Sequence, residues 1–407
     1  MSNPSSEEKA IVIIGAGLCG LATALALHRK GLSSIVVEKS ESLRATGAAI
    51  GIFANGWRAL DQLGVGQELR SKAIPLQVVR DIFSQRESVI HVRNEELRCL
   101  KRSDLINILA NNLPPDTIHF GRQTLALTLD PQTAHPIVHL HDGTIIKTQV
   151  VIGCDGTNSV VADWLGLKAA RQFSLCAVRG FTNYPNGHGF SNEFVRLRKN
   201  NITLGRIPVD DKLVHWFVGR LWTPEDSRVS KEAKLIRDST VESMKKDFPA
   251  DRIEMIRNSD LESLSLLRLK YRAPWDILLG SFRKGTVTIA GDALHVMGPF
   301  IGQGGSAGLE DAIVLARCLA QEMGMAGPTL TSSSEGQEQV TQSRVGKAFD
   351  QYVKQRRMRI LRLSMQTYLT GLLLQASLPV LKFMILILLL ILFPNSYGHT
   401  HYDCGRL

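Results

Sequence analysis

The run Ile11-Val12-Ile13-Ile14, passing directly into Gly15-Ala16-Gly17-Leu18-Cys19-Gly20, constrains this chain more than any other feature. An apolar run without polar alternation suits a strand buried on both faces, as in a parallel sheet. The strand is expected over residues 10–14 and the glycine turn over 15–20. A helix is expected over 21–30, from the spacing of Leu21, Leu25 and His28, with Gly31 to stop it. A second strand over 35–38 completes a βαβ unit. Each glycine then has a task. Gly15 permits the tight turn, Gly17 lets the backbone approach a pyrophosphate, and Gly20 lets helix and strand pack closely, with the helix N-terminus aimed at the phosphates. Glu38, at the end of the second strand, stands where an adenosine ribose hydroxyl would be held, and a carboxylate there disfavours a 2′-phosphate.

Two more strand-and-turn units follow. Residues 149–155 end in Gly153-Cys154-Asp155, with Gly156 next, and residues 286–292 end in Ala290-Gly291-Asp292. The second continues through His295 and Pro299 to Gly302-Gln303-Gly304-Gly305 and then Leu309-Glu310-Asp311-Ala312. An aspartate at a strand end can hold polyol hydroxyls. Bare backbone amides at a helix start can sit against a flat, electron-rich ring. Arg44 and Arg102 offer guanidinium groups near the same unit.

Between these units the pattern changes. Residues 82–92 and 173–219 alternate apolar and polar positions, with turn chemistry at Tyr184-Pro185-Asn186-Gly187, and read as antiparallel strands. The expected fold is α/β. A Rossmann-like cofactor domain is assembled from residues 1–75, 98–172 and 280–325, and a mainly antiparallel β substrate domain (76–97 and 173–279) is inserted into it. A polar, aperiodic stretch predicts a linker loop over 326–346, and residues 347–407 a C-terminal helical region.

The chain has 407 residues and a net charge of +10, but its basic residues are scattered and form no zinc-finger, basic-zipper or RNA-recognition pattern. A nucleic-acid partner is therefore not expected; a basic surface suits a diphosphate cofactor and anionic substrates. Six cysteines without a close C-x-x-C pair predict neither a disulfide framework nor a metal site. The polar start, residues 1–9, carries no secretory signal, so a cytoplasmic protein is expected.

The three strand-end motifs, in this order and spacing, resemble the FAD-binding motifs of the para-hydroxybenzoate and salicylate hydroxylase superfamily. Within it, Arg179-Gly180-Phe181-Thr182, Tyr184-Pro185-Asn186-Gly187-His188-Gly189-Phe190 and Tyr402-Asp403-Cys404-Gly405-Arg406-Leu407 resemble the plant monooxygenase 1-like FAD-dependent monooxygenases. The resemblance runs from about Ile11 to Leu407. It implies that Gly15, Gly17 and Gly20 bind the diphosphate and Glu38 the adenosine ribose, with Arg44 and Arg102 touching the cofactor. It assigns Asp155 and Gly156 to FAD and the reduced nicotinamide, Asp292 to the ribityl chain, and Pro299, Gly302, Gly304 and Gly305 to the flavin ring. It further implies a single-component monooxygenase in which NADH or NADPH binds transiently. Oxygen then adds to the reduced flavin, and the flavin hydroperoxide hydroxylates a small, aromatic or related substrate. Only one dinucleotide glycine turn is present, in keeping with transient nicotinamide binding. Two positions depart from the superfamily pattern: Ala162 stands where an arginine is usual, and Ser306 where an asparagine is usual. The alternatives are a flavin oxidoreductase acting on an isoprenoid-like substrate without oxygen insertion, and a non-catalytic flavoprotein partner.

A phenolic substrate needs a base, for which His188, His215, Tyr184, Arg206 and His295 are the candidates. None is assigned, since each has an ordinary packing role open to it. At the C-terminus, residues 383–393 are eleven consecutive apolar residues, preceded by Arg356, Arg357, Arg359 and Arg362. As a helix that run is roughly 17 Å long, against about 30 Å of hydrocarbon in a bilayer. Two readings stay open: packing on the protein, or membrane contact with the basic stretch facing anionic lipid.

Overall fold

The computed structural model describes residues 6–43, 49–83, 86–92, 96–324, 335–395 and 397–407. Ile11, Val12, Ile13 and Ile14 are all buried, which fits a strand covered on both faces. This first strand, Ser6–Ile14, lies between Ile145–Gly153 and Ile35–Val37, parallel to both. Val287–Ile289 adds in parallel beyond Ile145–Gly153, and Ile118–His119 beyond Ile35–Val37. The three expected strand ends are therefore neighbours. Backbone bonds hold them level: Gly15 N–H donates to Val37 O, Cys154 N–H to Ile14 O and Ala290 N–H to Gly153 O.

Helices cover this parallel sheet. Leu18–Arg29 packs on Gly304–Gly324, and that helix in turn on the long helix Glu335–Gln375. The helix expected over 21–30 begins earlier, directly after Gly17, so its first turn belongs to the glycine turn itself. The expected linker over 326–346 is corrected in its described part. The long helix already starts at Glu335, and Val345 near its beginning is fully buried against the core.

A second, seven-stranded sheet runs in the order Ser265–Tyr271, Arg171–Asn183, Leu213–Leu221, Ile202–Pro208, Glu193–Lys199, Val78–Phe83, Arg86–His91. All its pairings are antiparallel except Glu193–Lys199 with Val78–Phe83. Alternation divides its residues between two faces. Cys176, Val178, Leu204, Trp216 and Val218 pack against helices Ala233–Met244 and Ala250–Arg257. Phe181, Phe217, Ile207 and Phe194 take the other face, packed with Phe53 and Cys99. The fold is thus a discontinuous Rossmann-like unit with a mainly antiparallel sheet inserted into it and helices at the C-terminus. Among the described residues no helix is long and apolar enough to cross a membrane.

Candidate cofactor and substrate site

Gly15 adopts φ +102°, and a Cβ there would lie 2.6 Å from the Cys154 carbonyl oxygen. At Gly20 the constraint is harsher: a Cβ would meet the Gly15 carbonyl oxygen at 1.9 Å. Gly17 differs, since nothing stands within 4 Å of the position its Cβ would take. Two of the glycines are thus required by the protein's own packing, while the third leaves an open face over the turn. The helix starts there without a side-chain cap and without an acidic residue in its first turn. Its first N–H groups are free to meet an anion.

Glu38 is buried beneath the turn; its Oε2 accepts from Ala16 N–H at 2.8 Å and its Oε1 from Ser40 N–H at 3.0 Å. It fixes the glycine turn as well as standing at the end of the second strand. In the second motif, Asp155 Oδ2 accepts from Val160 N–H at 2.7 Å, while Oδ1 is buried without a partner among the described residues. Burial raises the Asp155 carboxyl pKa, against the opposing hydrogen bonds from Ser159 and the backbone. A buried carboxylate oxygen with no partner is costly unless a ligand or solvent donates to it. Gly156 follows with φ +80°.

In the third motif Gly291 turns the chain at φ +63°, and the Asp292 side chain is exposed at the strand end. Pro299 opens a short 3-10 turn, and Gly302 closes it in the left-handed region at φ +65°. A Cβ on Gly305 would strike Ile50 at 2.4 Å, whereas Gly304 has room. Beneath this loop lies a network that sequence reasoning missed. Asp311, fully buried, accepts from Gly291 N–H at 2.9 Å, from His295 Nε2 at 2.7 Å and from Arg356 Nε at 2.7 Å. Burial alone would raise its pKa; His295 and Arg356 outweigh that and hold it at about 2. Glu310 beside it pairs with Arg356 and Arg359 and accepts from Asn55 Nδ2, which also donates to Gln303 Oε1 at 2.8 Å. The loop is thus anchored from below by buried charge.

This corrects the reading of the basic stretch. Arg356 and Arg359 are committed to Glu310 and Asp311, and Arg357 donates to the carbonyls of Ile277 and Leu278. Of the four, only Arg362 is exposed. The departure at Ser306 is accommodated where Gly56 leaves space against its Oγ. Ala162 is buried in the apolar cluster with Val161 and Leu167.

Across from the loop, strand register aligns Arg179, Phe217, Gly205 and Arg196 in one row on the sheet face. Arg196 is neutralised by Asp81 through two 2.6 Å contacts, and it also donates to Tyr397 Oη at 3.3 Å. Tyr397 sits 6.5 Å from the Phe53 ring, and Phe53 adjoins Gly302. These contacts bring the glycine loop and the sheet face together. Arg179 has no carboxylate partner among the described residues; its Nε donates to Ser265 Oγ at 3.1 Å. Burial lowers its pKa, and nearby Arg102 adds to the effect, so those two cations share one neighbourhood. Arg44 lies outside the described residues.

The candidate bases separate cleanly. His215 is on the inner face, one register step from Arg179, with Nδ1 3.0 Å from Gly180 O. Burial, then Arg179, lowers its pKa to about 4, so it is neutral near pH 7. His295 is fully buried on Asp311 and serves the loop. His188 has both ring nitrogens engaged, with Asp210 O and Phe190 N–H. Arg206 lies on the outer face, 3.9 Å over the Phe190 ring, which itself packs on Tyr184. Tyr184, His188 and Arg206 therefore cluster away from the glycine loop.

Comparison with known proteins places the chain in a family. Residues 8–345 match the family model described as FAD binding domain. The chain is 47% identical to Monooxygenase 1 of Arabidopsis thaliana, covering 98% of this chain and all of that protein. It is 36% identical to Monooxygenase 2 of the same plant, with 98% of each covered. A solved structure of Klebsiella pneumoniae HpxO complexed with FAD and uric acid shares the fold at TM-score 0.78 and 19% identity, covering 96% of both chains. A tetrameric form of 2-methyl-3-hydroxypyridine-5-carboxylic acid oxygenase does so at TM-score 0.73 and 20% identity, covering 99% of this chain and 98% of that one. With a family match across most of its length and a near-half-identical relative along all of it, this chain belongs to the FAD-dependent monooxygenases of the FAD binding domain family.

Proposed function

We propose that this chain uses NADH or NADPH and O2 to hydroxylate a small, anionic, aromatic or related substrate. The observation that carries the reading is the meeting of three strand ends with an open amide turn, a buried Asp155 oxygen that has no partner among the described residues, and an exposed Asp292 carboxylate. In this reading Gly15, Gly17 and Gly20 with the Leu18 helix start hold the diphosphate, and Glu38 the ribose, with Arg44 and Arg102 beside them. Asp155 and Gly156 line the middle, Asp292 holds the ribityl hydroxyls, and Pro299, Gly302, Gly304 and Gly305 flank the ring. When bound, FAD supplies hydride acceptance and activation of O2. The protein's part is to orient the substrate and keep water out.

The substrate's charge is read from Arg179. A desolvated guanidinium with no carboxylate partner among the described residues favours an anionic substrate, and the positive charge of nearby Arg102 adds to that preference. The inner face around it, Phe181, Phe217 and Phe53, suits a flat ring. Neutral His215, one step away, can accept a hydrogen bond from a substrate hydroxyl, while its lowered pKa keeps it from taking the proton near pH 7.

Two measurements test this. Asp292→Ala should weaken FAD binding about fivefold to a hundredfold, the loss expected for charge-assisted hydrogen bonds to a polyol. Full flavin absorbance at limiting FAD in that variant would sink the Asp292 assignment. A screen of ring acids beside their neutral esters, following nicotinamide oxidation and oxygen uptake, tests the substrate class. Arg179→Gln should raise KM for the preferred acid about tenfold to a hundredfold. Equal turnover of acid and ester by the parent protein would overturn the anionic reading.

A further inference from the structure

The helix Pro379–Leu392 has one charged residue, Lys382, and otherwise only apolar ones. Only Ile385 of its residues is buried, packed with Leu369 of the long helix, Ala376 and Phe393. Val380, Phe383, Leu390 and Ile391 are 72%, 63%, 60% and 69% exposed, and the exposed positions continue through Leu381, Met384, Leu386, Ile387, Leu388 and Leu392. At about 100° per residue they sweep roughly 240° of the helix circumference. A flat protein surface seated on the helix covers one side of it and leaves the remainder in water. A medium that closes around the helix covers the whole arc.

Charge points the same way. From Gln351 to Tyr402 the sequence contains no aspartate or glutamate. With Arg356, Arg357 and Arg359 tied inward, the outward cations are Lys354 and Arg362 on the long helix and half-buried Lys382 on the apolar one. Lys354, Met358 and Arg362 recur every four residues, and all three are exposed. Met358, 64% exposed, thus sits between two cations on the helix stripe that leads to the apolar helix. We propose that this helical hairpin docks on an anionic lipid surface. The apolar helix lies in the membrane plane among the acyl chains, and Lys354, Arg362 and Lys382 rest at headgroup level. The helix is about 21 Å long against about 30 Å of hydrocarbon, so it lies along the membrane and does not span it.

The test is vesicle co-sedimentation of the FAD-loaded full chain. Phosphatidylcholine vesicles are compared with vesicles carrying about 30 mol% phosphatidylserine, an anionic surface of the kind basic segments recognise. The chain should sediment with the anionic vesicles and be released in part by raised salt. Leu390→Glu with Ile391→Glu should cut binding on the order of a hundredfold, because two side chains that enter the acyl layer become charged. Flavin content and thermal midpoint of that variant should not change, since both positions face outward. Lys354→Glu with Arg362→Glu and Lys382→Glu should cut binding to the anionic vesicles by about thirtyfold or more. The proposal is overturned if the parent chain stays in the supernatant with both vesicles, or if either variant binds as the parent does. It is also overturned if light scattering shows a dimer that Leu390→Glu with Ile391→Glu dissociates, for then a second copy covers the helix.

Discussion

Asp311→Ala should give a chain that neither folds stably nor retains flavin. The carboxylate is fully buried and satisfies Gly291 N–H, His295 and Arg356 at once, so its removal leaves buried Arg356 with Glu310 alone and strands His295 and the N–H of the strand-end turn. Breaking one partner of a buried pair costs about 3–5 kcal/mol, a large part of a typical stability of about 5–15 kcal/mol. The measurements are the urea midpoint and the ratio of flavin to protein absorbance, and an unchanged midpoint would show the network to be dispensable. Asp311→Asn keeps the shape and isolates the charge. The Asp311 pKa is depressed from 3.8 to about 2, so its stabilising contribution is complete above pH 4 and is lost as pH falls towards 2. The parent protein should therefore lose stability more steeply than Asp311→Asn between pH 4 and pH 2.

The second large effect separates packing from binding within one turn. In Gly20→Ala the new methyl would need the place of the Gly15 carbonyl oxygen, so helix and strand must move apart. Overpacking of this kind costs about 1–3 kcal/mol, and here the displaced atom belongs to rigid backbone. The variant should melt lower even as apoprotein, and its flavin affinity should fall with the distorted turn. Gly17→Ala has no neighbour to strike. Its apoprotein should melt as the parent does, while a methyl over the open face weakens FAD binding about tenfold or more, by analogy with other steric losses in tight sites. Differential scanning of the apoproteins and fluorescence titration with FAD read the two quantities independently. Identical behaviour of the two variants would contradict the division of roles.

How much of this was written in the sequence follows from the range of the interactions. The glycine turn, its strand and its helix are local, and their periodicity and turn chemistry are visible within 30 residues. So are the two later strand ends, because Gly-Asp after an apolar run is a local pattern. The row Arg179, Phe217, Gly205, Arg196 is not local. It depends on register between four strands, and a slip of one residue would send each side chain to the other face. Arg356 is an intermediate case. Four consecutive-looking arginines read as a solvated face, yet Arg356 stands four residues from both Tyr352 and Ile360, which are buried. The helical spacing thus carried the signal that this arginine points inward, and Glu310-Asp311, buried on the neighbouring helix, supplied the acids to receive it. The start of the long helix at Glu335 was hidden for a plainer reason: Glu, Gly, Gln and Thr give no apolar stripe until Val345.

The order of the strands has a consequence for biosynthesis. The cradle proposed for the cofactor is walled by residues 15–20, 153–156 and 291–305, and its floor is pinned by Asp311 and Arg356. Pairings this distant in sequence form slowly, because the intervening chain must be closed into a loop first. A nascent chain released from the ribosome only as far as residue 286 has two walls and no floor. Flavin capture is therefore a late event, after nearly the whole polypeptide has emerged, and free FAD then pulls the last folding step by mass action. The supply of flavin during expression should set the yield of folded chain, and not merely the activity of chain already folded.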